Sequence, residues 1–124
     1  MKCMRKYAFL KNPQKCNDKE YIYKIMLHTQ EEGVYLYEYC SLDAIFSSYD
    51  QLYYDVSDIY EDWNSEIDER GWIDIDDPLP DCQHDTFLPI RIKGREQGTP
   101  EWGKYEILEN GEWIEYKIQD KIEI

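Results

Sequence analysis

The spacing of apolar residues changes period twice along this chain, and that change restricts the fold classes open to it. Residues 21–27 and 34–40 alternate in strand fashion, and Tyr35, Tyr37 and Tyr39 share one side of the second run, a face that can serve as core or as surface. Glu31, Glu32 and Gly33 between the two runs predict an antiparallel hairpin. From Leu42 onward the period lengthens. Ile45, Phe46, Tyr49, Leu52, Tyr53, Val56, Ile59, Tyr60, Trp63 and Ile67 recur at the helical spacing of about 3.6 residues. Strand alternation then returns at residues 87–93 and on both sides of Asn110-Gly111.

The helical segment divides in two. In its second half Asp55 can cap the N-terminus, Tyr54 and Ile59 can form a hydrophobic staple, and Asp58 suits the first turn. Arg70 and Gly71 fit the last turn and the C′ position. Residues 42–54 stay open between helix and strand, because Ser47, Ser48, Tyr49 and Asp50 weaken helix propensity. Pro78 and Pro80 predict a loop over 76–80, and Pro89 places the strand at 87–93 on a sheet edge. Residues 104–108 and 112–118, flanking Asn110-Gly111, carry the strongest hairpin signal. The expected fold is α+β, an antiparallel sheet of about five strands packed against one or two helices. A length of 124 residues predicts a single domain over 1–124.

Charge is the second constraint. The net charge of -13 is concentrated: residues 1–40 sum to +2, residues 41–86 to -13 and residues 87–124 to -2. Within 41–86, Arg70 is the only base. Such a field attracts cationic partners and repels nucleic acid and anionic membranes. With 42% apolar residues, 15% aromatic, the chain is too rich for disorder. It has no apolar run of the roughly 18 residues needed to cross a bilayer. Lys2, Arg5 and Lys6 precede no apolar stretch, which predicts a cytoplasmic protein without an export signal. Cys3, Cys16, Cys40 and Cys82 are then expected as free thiols.

Three features bear on chemistry. Cys82, His84 and Asp85 bring a thiol, an imidazole and a carboxylate together, but catalytic partners usually come from separate elements, and the spacing matches no common zinc motif. Arg91, Lys93 and Arg95, near Gly94 and Gly98, resemble an anion cradle without the order of a phosphate loop, and internal pairing with the acidic middle is their expected role. The third is a coincidence of acid and tyrosine. Seven of the twelve tyrosines lie between residues 35 and 60, beside Asp43, Asp50, Asp55 and Asp58. They describe either a recognition surface or core tyrosines beneath a solvated acidic face.

The block Gly71-Trp72-Ile73, Asp76-Asp77-Pro78-Leu79-Pro80, Cys82-Gln83-His84-Asp85, residues 89–95 and Trp102-Gly103 resembles the signature of a small bacterial family. In size, acidity and absence of an export signal the chain is similar in type to immunity proteins, the cytoplasmic antidotes to polymorphic or contact-delivered toxins. That resemblance implies a one-to-one complex with a basic toxin domain whose active site is covered by acidic and aromatic side chains. It assigns no residue roles. From the charge partition, Asp50, Tyr54, Asp55, Asp58, Glu61 and Asp62 are the candidate contact residues, with no cofactor, metal or catalytic group required. The alternatives are a small enzyme or metal-binding protein using Cys82, His84 and Asp85, and a phage-type mimic of nucleic acid.

Overall fold

The computed structural model describes residues 4–117, and the chain divides into two compact units between Asp77 and Pro78. The fold is α+β, with little helix. In the first unit the strands β1 (Arg5–Lys15), β2 (Tyr21–Gln30), β3 (Gly33–Tyr39), β4 (Tyr49–Tyr53) and β5 (Ile73–Asp74) form an antiparallel sheet ordered β4-β3-β2-β1-β5. The helix α1 (Val56–Trp63) follows β4 and continues into a 3₁₀ turn, Asn64–Glu66. In the second unit β6 (Ile90–Ile92), β7 (Tyr105–Glu109) and β8 (Glu112–Tyr116) form an antiparallel meander. No helix among the described residues is long and apolar enough to cross a membrane.

The core of the first unit follows from strand alternation. Ala8 and Leu10 of β1, Ile25 and Leu27 of β2, and Val34 and Leu36 of β3 lie in one buried cluster with Ile59 of α1 and Ile67. Val56, Tyr60 and Trp63 pack against the same cluster, so α1 turns its apolar stripe to this face of the sheet and its acids to water. On the other face Met26 and Tyr39 are fully buried and Tyr37 nearly so. Lys24 lies over the Tyr39 ring and donates from Nζ to the Leu42 carbonyl at 2.8 Å. Burial holds its ammonium below the usual pKa.

Both expected hairpins form. β2 and β3 join through Glu31 and Glu32, and β7 and β8 join at Asn110 and Gly111, which have φ of 51° and 81°. Ile118, expected at the end of the last strand, lies outside the described residues. β6 is an edge strand of its sheet, as expected, though it is shorter than residues 87–93 and begins just after Pro89.

Helix forms only in the second half of the segment with helical spacing. Residues 49–53 are strand, residues 42–48 are irregular, and only Val56–Trp63 is α-helical. Tyr49 and Tyr53 are four residues apart, a spacing that puts them on one face of a helix and equally on one face of a strand. The ladder to β3 decides between the two, because it pairs all five residues of β4. The staple is also absent: Tyr54 is 94% exposed, and Asp55 holds the N-cap backbone conformation without a side-chain cap bond. Gly71 closes a turn by donating its N–H to the Asp68 carbonyl, well beyond the helix end. Arg70 instead pairs with Asp68 at 2.6 Å and lies over the Phe9 ring.

Candidate functional site

The junction between β4 and α1 gathers most of the residues singled out by charge. Tyr53 packs inward against the core, so the chain must turn outward at Tyr54 before the helix begins. Asp55 is extended (φ -145°, ψ 151°), and its carbonyl accepts the Asp58 N–H at 3.1 Å. Its carboxylate accepts the Ser57 hydroxyl at 3.2 Å. Asp58 and Glu61 then follow on the face of α1 opposite Ile59 and Trp63, and the exposed Asp62 flanks that face on the side of Tyr53.

A hydrogen-bond chain fixes this junction. Trp63 Nε1 donates to the Tyr53 hydroxyl at 3.2 Å, and that hydroxyl donates to Asp62 Oδ2 at 3.1 Å. Burial, helped by the Asp62 carboxylate, raises the Tyr53 phenol pKa above its usual value, while the Trp63 N–H acts the other way.

Beside Tyr54 opens a cleft of about 400 Å³ lined by Thr29–Val34 of the β2–β3 turn and by Tyr54, Asp55 and Val56. It adds Glu31 and Glu32 to the acidic surface, residues that the sequence marked only as a turn. Glu32 accepts the Tyr35 hydroxyl at 3.0 Å, and this bond pushes the Tyr35 phenol pKa up. Charge along the sequence does not single out this pair, because residues 1–40 sum to +2.

Asp50 stands apart from the others. It is exposed on β4 opposite Tyr37, and since Tyr49 and Tyr53 face the core on the helix side, its side chain faces the other way. Among the described residues no salt bridge reaches Asp50, Asp55, Asp58, Glu61 or Asp62; Lys6 pairs with Asp74 and Arg70 with Asp68. Of the tyrosines between 35 and 60, Tyr37 and Tyr39 are buried, Tyr35, Tyr49, Tyr53 and Tyr60 are partly buried, and Tyr54 is exposed. Six of the seven therefore pack, and one is presented.

The other two features are built differently. Cys82 is buried, His84 is exposed, and no group of three His, Cys, Asp or Glu side chains among the described residues is placed to hold a metal ion. Arg91 pairs with Glu96 at 3.4 Å and Glu106 at 3.0 Å while lying over the Trp113 ring. Its partners come from the C-terminal third and not from the acidic middle. Arg95 donates to the Gln83 side chain at 3.0 Å.

No family model, no curated protein and no solved structure matches the chain.

Proposed function

We propose that this chain is a stoichiometric binding protein, a cytoplasmic antidote of the immunity type, which occludes the functional surface of a basic toxin domain. The observation that carries the reading is the unpaired acidic face running from Asp55 through Asp58 and Glu61, with Tyr54 exposed at its end. Tyrosine gives a rigid contact with a polar tip, and carboxylates without internal counter-charges leave their field available to a cationic macromolecule. The rim steers and orients, whereas the aromatic anchor supplies most of the contact energy.

The test is protection by co-expression with a basic protein recovered by affinity pull-down with this chain. Replacing Asp58 and Glu61 by lysine is expected to abolish protection, and Tyr54→Ala to weaken binding by about 2 kcal/mol. Asp62 is left intact because it accepts the Tyr53 hydroxyl. Unchanged protection, with the variants folded by circular dichroism, would exclude this surface.

A further inference from the structure

The sheet of the first unit ends at β4, and no described residue pairs with its outer side. A Cβ placed on Gly33 would collide with the Tyr53 carbonyl oxygen, so that carbonyl is directed at β3. Backbone polar groups alternate sides along an antiparallel strand, and the N–H and C=O groups of Asp50 and Leu52 therefore face outward. Both residues are exposed, Leu52 to 53%.

Edges of this kind are usually protected by lysine, proline, a bulge or a covering segment. This strand, Tyr-Asp-Gln-Leu-Tyr, has neither lysine nor proline, and its one charge is an aspartate. Its surroundings are acidic too, with Glu31, Glu32 and Asp55 at the adjoining cleft. A second copy of a chain with net charge -13 is repelled from such an edge, whereas a cationic strand is attracted to it.

We infer that β4 is a docking edge, onto which the cationic partner adds an extended strand carrying a lysine or arginine beside Asp50 and an apolar residue two positions away beside Leu52. The inference rests on the cationic-partner reading and gives the separate position of Asp50 a role. Main-chain bonds to Asp50 and Leu52 supply affinity, and the two side chains supply selectivity.

The test uses two octapeptides of equal charge, Lys-Thr-Val-Thr-Lys-Thr-Val-Thr, which sets lysine and valine two positions apart on one face, and the same peptide with every residue but lysine replaced by proline, titrated into the full chain at low salt. Only the first can form a ladder. It is expected to protect the Asp50 and Leu52 amides from hydrogen exchange and to bind about tenfold tighter than the proline peptide. Leu52→Pro, which removes an outward N–H and no β3 bond, is expected to bring the valine peptide down to the proline peptide's affinity. Should that variant fail to fold, the comparison of peptides on the native chain still decides.

Equal binding of both peptides, with shifts confined to Asp58 and Glu61, would overturn the edge while leaving the cationic-partner reading standing. Binding of neither would overturn both. A dimer of the native chain by sedimentation, lost in Leu52→Pro, would overturn the proposal in favour of a second copy as occupant.

Discussion

At the scale of the residue, Glu38 shows how a packed fold sets the chemistry of a side chain. It lies on the helix-side face of β3, is 8% exposed and accepts the Gln51 amide at 2.8 Å. Burial raises its carboxyl above the ordinary pKa of 4.5, outweighing the opposing Gln51 bond, and the Asp50 charge adds a smaller push in the same direction as burial. An acid whose folded pKa is raised contributes stability that is fully present below its unfolded value and lost as pH rises through the folded value. Glu38→Gln is therefore expected to raise the melting temperature at pH 7 by about 2–5 °C, because it removes a buried charge and keeps the hydrogen-bonded shape. The gap should close below about pH 4, where both side chains are neutral. Thermal melts at the two pH values check this, and an unchanged or widening gap at low pH would refute it. Glu20 runs the other way, since hydrogen bonds from Tyr49 and Asn17 hold its carboxyl below the usual range.

At the scale of the element, the turn between β2 and β3 depends on a glycine for two independent reasons. Gly33 has φ of 149°, and a side chain there would meet the Tyr53 backbone carbonyl. Gly33→Ala is expected to cost about 1–3 kcal/mol in urea denaturation, with the loss concentrated in β4 amide protection. A cost indistinguishable from zero would mean that β4 does not approach β3 as described. Some elements were readable in advance and others were not. The two hairpins carry their turn chemistry locally, in Glu-Glu-Gly and Asn-Gly. β1 was not legible, because Lys6, Lys11, Asn12 and Pro13 interrupt its apolar pattern; the structure accommodates the proline where the register shifts between Phe9 and Gln14.

At the scale of the whole molecule, a net charge of -13 makes both folding and association sensitive to salt. Raising sodium chloride from about 10 to about 200 mM shortens the screening length several-fold and is expected to raise the melting temperature by relieving self-repulsion. The same change should slow capture of a cationic partner, readable as a falling association rate constant. A melting temperature that falls with salt would indicate that internal ion pairs outweigh repulsion. The candidate surface was legible as charge but not as shape: Asp55, Asp58, Glu61 and Asp62 are exposed as helical periodicity required, whereas Asp50 went with a strand and faces elsewhere. Glu31 and Glu32 join the surface because the β2–β3 turn lies beside Tyr54.

Local pattern determined what depends on neighbours in the chain: the mixed fold class, the hairpins, the exposed acids of α1 and the sign of the field. Tertiary structure alone decided that residues 49–53 extend along β3, that six of the seven central tyrosines pack, and that Asp50 leaves the helical acids. The reason is physical. A spacing of four residues serves helix and strand alike, so only the ladder bonds offered by a strand distant in sequence could choose between them.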